Sequence, residues 1–421
     1  MKKIMFFSLL TGAMLAGCSS SDLETTYEKE VLQHREIPVE FNTFLGNSAN
    51  TRAGETGILT TDALKAAASQ GFGVFAYYTD ATGYSASATP NFMYNEQVTF
   101  NTTTTNWEYA PIKYWPNEFS TTATDGIPVD GKLDKLTFFA YAPWVGETTG
   151  GTNAVLADMG DSGITNFSAN NAAGDPTITY TVAEDADESV DLLWASNAST
   201  ELKDLTKPTT SSKVNFTFNH ALARLGLKIR SVVDEVAKDG TNPIDNSTTI
   251  LLSKITIESE NLKKKGTLNL NTGVWTADNT AAATKLVIEG DDINLSSTAA
   301  DKKKVTTTLT DVLNAGKGAS DPEKYFMFIP SATTESTFNV TVEYTVETVD
   351  PALAGTVTSG SHGIKIENKI KNTVKFTPEM TKAYNFDILI GVTSVQVEAT
   401  VTPWTADNTE HNVWVPVNKN N

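Results

Sequence analysis

The chain has 421 residues, with 50 Asp plus Glu against 32 Lys plus Arg, a formal charge of -18, four His and one Cys. At roughly 150 residues per domain this length suggests two or three domains, and the acidic excess opposes nucleic-acid backbones and anionic membrane surfaces. One cysteine excludes an intramolecular disulfide framework and thiolate metal clusters, and a charged fraction of only 19% points to β structure with polar turns rather than a Glu/Lys-rich helical protein.

Residues 1–17 read as a secretory signal: Lys2 and Lys3, an apolar stretch from Ile4 to Leu10, then Leu15-Ala16-Gly17 before Cys18. The Leu-Ala-Gly-Cys end resembles a bacterial lipobox, which implies cleavage between Gly17 and Cys18 and acylation of Cys18. Several acyl chains at ~0.8 kcal/mol per buried CH₂ hold a protein stably on a membrane. Cys18 is on this reading an anchor and not a nucleophile. Ser19-Ser20-Ser21-Asp22 then begins a polar tether.

Apolar residues at every second position predict half-buried strands through the rest of the chain. In order they are Ile37-Val39-Phe41, Phe72-Val74-Ala76-Tyr78, Ile178-Tyr180-Val182, Val214-Phe216-Phe218, Leu225-Leu227-Ile229, Ile255-Ile257, Phe338 to Val346, Phe386 to Val392 and Val395-Val397-Ala399-Val401. The denser runs Leu136 to Tyr141 and Tyr325 to Ile329 predict strands covered on both faces. Asp125-Gly126, Asp130-Gly131, Asp239-Gly240 and Asn271-Thr272-Gly273 supply turns. Two helical pieces are expected: a short helix over Thr61 to Gln70, with Thr61 as cap and Gly71 as terminator, and a single turn over residues 220–224, where the strand alternation changes parity. A boundary is expected at 207/208, in the Thr/Ser-rich stretch containing Lys207-Pro208, giving an N-terminal domain over 36–207 and a C-terminal domain over 208–421.

No catalytic or metal constellation emerges. Gly160-Asp161-Ser162-Gly163 matches the serine-protease nucleophile motif locally, but Ile164 follows and no His-bearing partner segment exists. Asp185-Ala186-Asp187-Glu188-Ser189 begins like a calcium loop, yet Val190 stands where the turn glycine belongs and Ser196 where the bidentate Glu belongs. His34, His220, His362 and His411 show no metal-ligand spacing, and His220 between Phe218 and Leu222 reads as a buried, hydrogen-bonded side chain. Lys263-Lys264-Lys265 and Lys302-Lys303-Lys304 read as solvated turns. The aromatics Trp107, Tyr109, Tyr114, Trp115, Tyr141 and Trp144 would suit either strand cores or a surface on which glycans stack. Neither cofactor nor metal is expected, and the chain reads as a non-enzyme.

A series of short segments carries more information together than each does alone. The lipobox is followed by Ile37-Pro38-Val39-Glu40-Phe41, Asn50-Thr51-Arg52-Ala53, Ile112 to Pro116, Leu136 to Pro143, Asp191-Leu192-Leu193-Trp194-Ala195 and Phe218-Asn219-His220-Ala221-Leu222-Ala223-Arg224-Leu225. In this order the series resembles the fimbrillin family, lipoprotein subunits of type V pili. The resemblance implies an all-β protein of two tandem transthyretin-like β-sandwich domains with very few short helices. It further implies a lipoprotein precursor at the cell outer membrane and later a place in the cell-surface fimbrium. An Arg-specific protease would cut between Arg52 and Ala53, releasing residues 18–52 with the strand carrying Ile37, Val39 and Phe41. Another fimbrillin subunit, of the same or a different kind, would fill the opened groove. The C-terminal segment 394–417, with Val395, Val397, Ala399, Val401, Val413, Val415 and Val417, is the candidate donor strand. Such pairing joins backbone hydrogen bonds to side chains in successive pockets. A host or bacterial surface ligand would be the adhesion target, and nucleic acid is not expected as a partner. The alternative is a monomeric surface lipoprotein that binds glycans through exposed aromatics.

Overall fold

The computed structural model describes residues 36–45, 59–66, 70–79, 82–116, 134–146, 162–195, 202–208, 212–232, 248–316, 323–331, 334–349, 363–392, 394–404 and 413–414. Among them the protein is almost entirely β, arranged in four sheets.

The first sheet has seven strands in the spatial order Glu40–Leu45, Lys213–His220, Leu193–Ala195, Leu136–Ala142, Phe72–Tyr78, Met93–Asn101 and Asn106–Glu108. The neighbouring strands Leu136–Ala142 and Phe72–Tyr78 are buried at every position but Tyr78 because both faces are covered, as the dense run Leu136 to Tyr141 predicts. On one face Phe72, Val74, Phe138, Phe216 and Phe218 form a core with Ile37, Val39, Phe41 and Trp115. On the other, Phe75, Tyr77, Phe139 and Tyr141 join a larger core that continues through the remaining sheets.

The second sheet covers that other face with Trp275–Ala277, Lys265–Asn269, Thr177–Thr181 and Gly163–Phe167. Alternation sends Ile164, Ile178, Tyr180 and Leu268 inward. Gly273, with φ of +70°, makes the turn between two of these strands and lies so close to Trp194 that no side chain would fit. The third sheet is built on Ala283–Glu289, the long strand Thr248–Lys263, Ser336–Val349 and Gly363–Phe376. The fourth runs Thr310–Asp311, Ala223–Ser231, Lys382–Ile390, Val395–Pro403 and Val413–Trp414, with Phe326–Phe328 also on Ala223–Ser231. Leu225, Leu227, Ile229, Phe386 and Ile388 of the fourth sheet share a core with Ile255, Ile257, Val340 and Val342 of the third.

The first and second sheets each draw strands from both sides of Lys207-Pro208, since Lys213–His220 pairs with Leu193–Ala195 and Lys265–Asn269 pairs with Thr177–Thr181. The two helical expectations need correction. The first helix spans only Thr61–Lys65, its cap is Thr60, whose hydroxyl accepts the Ala63 N–H, and Ala66 is already extended at ψ 145°. No helical turn occurs at residues 220–224. Ala221 and Leu222, the latter at a bend, form a two-residue link between the strands Lys213–His220 and Ala223–Ser231, and the parity change reflects the passage from one sheet to another.

Candidate functional site

The alternating segment Ile37-Val39-Phe41 occupies a seam. On one side Glu40–Leu45 pairs in parallel with Lys213–His220, in a register that sets Phe41 beside Val214 and Leu45 beside Phe218. On the other, the Val39 N–H donates to Lys113 O and the Trp115 N–H to Ile37 O, both at 2.9 Å. Residue 113 follows closely on Asn106–Glu108, the strand at the far end of the same sheet. The segment 37–45 thus joins the sheet's two ends. Pro38, which has no N–H to give, sits between the two residues that bond to the 113–115 side and ahead of the parallel ladder that begins at Glu40.

The seam grips its occupant tightly. Ile37, Val39 and Phe41 are each 1% exposed, while Phe44, on the opposite face of the same strand, is 52% exposed. Phe41 meets four rings, Phe216 and Tyr109 at 5.4 Å, Phe138 at 6.0 Å and Phe72 at 6.2 Å. Tyr109 adds a polar tie, its hydroxyl donating to Val39 O at 2.7 Å and accepting the Lys113 N–H at 3.2 Å. Burial pushes the Tyr109 hydroxyl up to about 12, against the opposing effect of the Lys113 backbone and with help from Glu96 and Glu40. Burial likewise raises the Glu96 carboxyl, with Lys113 opposing.

At the other end of the chain, Val395–Pro403 is paired along its whole length with Lys382–Ile390. Val395, Val397 and Ala399 are buried against the third sheet, and Val401 is half-buried. Val413–Trp414 pairs with Thr400 and Val401. Gly17, Cys18, Arg52, Ala53, Val415 and Val417 lie outside the described residues, as do His34, His362 and His411.

The six aromatics considered as a glycan surface are dispersed and mostly enclosed. Trp107, Trp115 and Tyr141 are buried, Tyr109 and Trp144 half-buried, and Tyr114 alone is exposed. The acidic run at 185–188 is a short 3₁₀ turn capped by its own Asp185, which accepts the Asp187 N–H, and Asp187 pairs with Lys324 at 2.5 Å. No group of three or more His, Cys, Asp or Glu able to hold a metal occurs among the described residues.

His220 is buried, as its apolar neighbours predict, and Nδ1 lies 2.7 Å from Asp191 Oδ2. Asp191 carries no sequence signal of this role. It precedes an apolar strand, and its partner stands 29 residues away.

A family model described as fimbrillin-like matches residues 51–404. The chain belongs to the fimbrillin-like family. Over 424 residues it is 28% identical to fimbrium subunit Fim1C of Phocaeicola vulgatus, with 96% of each chain covered. A crystal structure of a fimbrial protein from Bacteroides vulgatus matches with a TM-score of 0.60 at 22% identity, covering 88% of this chain and all of that one, which shows a shared fold. A fimbrillin-like chain is a structural protein and not an enzyme. No helix among the described residues is long and apolar enough to cross a membrane.

Proposed function

We propose that this chain is a structural subunit of cell-surface fimbriae that supports adhesion. It is exported as a lipoprotein held at Cys18, cut between Arg52 and Ala53, and polymerised by strand exchange with other fimbrillin-like subunits. One observation carries the reading: the segment between the lipid attachment point and Arg52 is a strand with Ile37, Val39 and Phe41 fully buried and hydrogen bonds on both sides. A strand bonded on both sides leaves two unpaired edges and an apolar groove when it is lost, a state that favours addition of a strand from another molecule. Membership of the fimbrillin-like family and the relative named as a fimbrium subunit support the same reading.

Within the candidate donor segment 394–417, Val395, Val397 and Ala399 are engaged in the chain's own fourth sheet. They fix where the tail leaves the subunit; Val413 is itself paired with Val401 at the edge of that sheet, and on leaving it Val413, Val415 and Val417 would offer an alternating apolar face to a neighbour's groove.

Treatment of the unprocessed protein with an Arg-specific protease should give a chain beginning at Ala53 that forms ladders on unheated gels. An Arg52→Ala protein that polymerises as well as the wild type would overturn the reading. Among the described residues, the burial of Trp107, Trp115 and Tyr141 gives the glycan-binding alternative no shared aromatic surface.

A further inference from the structure

The link between the first and fourth sheets is only Ala221 and Leu222. Around it distant pieces of chain meet in a buried polar cluster. Asp191 is wholly buried, and its Oδ2 accepts the Leu59 N–H at 3.0 Å as well as lying 2.7 Å from His220 Nδ1. The His220 ring stacks on the Trp404 indole, with centroids 4.0 Å apart and planes 6° from parallel. Trp404, 4% exposed, is the first residue after the strand Val395–Pro403, and its N–H donates to Thr381 O at 2.7 Å. The Arg224 guanidinium stands 5.2 Å from the Trp404 ring and 4.2 Å from that of Tyr325.

Three atoms of this cluster, Asp191 Oδ1, Arg224 Nε and Trp404 Nε1, have no hydrogen-bond partner among the described residues. Apolar side chains would fill such a place at lower cost, because buried polar atoms without partners are expensive. Packing alone therefore does not account for these residue types. What they do create is one unbroken path of contacts, from the backbone at Leu59 through Asp191 and His220 to Trp404.

The two ends of that path have a common property. Leu59 lies shortly after Arg52, on the side of the chain that remains if residues up to 52 are removed, and Trp404 is the root of the C-terminal tail. We propose that Asp191, His220 and Trp404 form a tie coupling the order of the chain entering at Leu59 to the order of the chain leaving at Trp404. Such coupling is reciprocal: loosening either end loosens the other. It does not depend on how the subunits polymerise.

Hydrogen–deuterium exchange on the full-length chain tests this. Trp404→Leu should speed exchange about tenfold in the peptide Leu59–Lys65, within the range of ordinary coupling energies. Asp191→Asn should do the same for the peptide Val395–Trp404. Protection of Leu136–Ala142 and Ser336–Val349, in the interiors of the first and third sheets, should be unchanged. His220→Phe, which keeps a ring on Trp404 but removes the bond to Asp191, should cut the path. Adding Trp404→Leu to it should then leave Leu59–Lys65 unaffected. Faster exchange confined to Val395–Trp404 in Trp404→Leu overturns the tie. So does a uniform rise across all four peptides, which marks a general loss of stability, or an effect of Trp404→Leu that survives in the His220→Phe background.

Discussion

Replacing Phe41 by Ala tests whether the seam is a packed groove or a loose edge. Its side chain is 1% exposed and meets four aromatic rings with centroids within 6.2 Å, three from strands of the first sheet and Tyr109 from the segment that follows Asn106–Glu108. Truncating a buried Phe removes its transfer free energy and leaves a cavity, which together cost about 3–5 kcal/mol. Phe44, three residues on in the same strand and 52% exposed, is the internal control, because exposed substitutions stay within about 0.5 kcal/mol. Urea unfolding of the unprocessed protein, followed by tryptophan fluorescence with Trp107 and Trp115 inside this core, should place Phe41→Ala about 3–5 kcal/mol below wild type and Phe44→Ala near it. Equal effects, or a Phe41→Ala cost under about 1 kcal/mol, would refute the packed groove. If the strand is exchanged as proposed, a weaker resident strand is easier to replace: the uncut Phe41→Ala precursor should accept an added peptide of sequence 413–417 sooner than the uncut wild type does, while the two chains, once cut after Arg52, should behave alike.

Tyr109→Phe removes the hydroxyl that bonds Val39 O and should cost about 0.5–1.5 kcal/mol in the same urea assay. Tyr109 and Tyr384 both have hydroxyls pushed up to about 12 by burial, above the ordinary value of 10. The folded state holds these protons more tightly than the unfolded chain, so their contribution is complete below pH 10 and is lost as pH rises from 10 through 12. Alkaline unfolding curves should show that decline, and it should be shallower in Tyr109→Phe. Gly273→Ala places a Cβ 2.5 Å from Trp194 ring atoms at a residue with φ of +70° and should destabilise by about 1–3 kcal/mol, read as a lowered urea midpoint.

Period-two alternation located the strands because one face of each meets a core, and the denser run Leu136 to Tyr141 pointed to a strand covered on both faces. Pairing partners were less accessible. Ile37-Val39-Phe41 and Val214-Phe216-Phe218 look alike in sequence, and the fold sets their strands side by side in parallel, yet nothing local specifies a contact across some 170 residues. The false helical turn at 220–224 has a physical cause. A change of alternation parity signals either a turn or a chain that passes from one sheet into another, and only the positions of both sheets distinguish them. His220 could be read as buried from its neighbours, whereas Asp191 and Trp404 come from segments whose only local message is the edge of a strand. The residues proposed for lipidation, cleavage and donation lie toward the termini, and there the legible signals are motifs of chemistry and processing rather than of packing.

Where the proposed donor segment begins decides which truncation is informative. Deleting residues from Ser394 onward removes Val395, Val397 and Ala399 from the core together with the whole partner strand of Lys382–Ile390. At ~1.5–3 kcal/mol for each buried valine, plus Trp404, this forfeits roughly 5–10 kcal/mol, comparable to the entire stability of a domain. Such a chain should fail to fold, and its failure to polymerise would reveal nothing about donation. Ending the chain at Trp404 instead keeps Val395–Pro403, the backbone bond from Trp404 to Thr381 and the stack on His220. That variant should keep a thermal midpoint within a few degrees of wild type, accept an N-terminal cut, and serve as an acceptor for another subunit's tail while adding none of its own. Mixed with wild-type subunits it should shorten ladders in proportion to its share. Full-length ladders from the truncated chain alone would assign donation to another segment, because no part of the tail expected to supply Val413, Val415 and Val417 would remain.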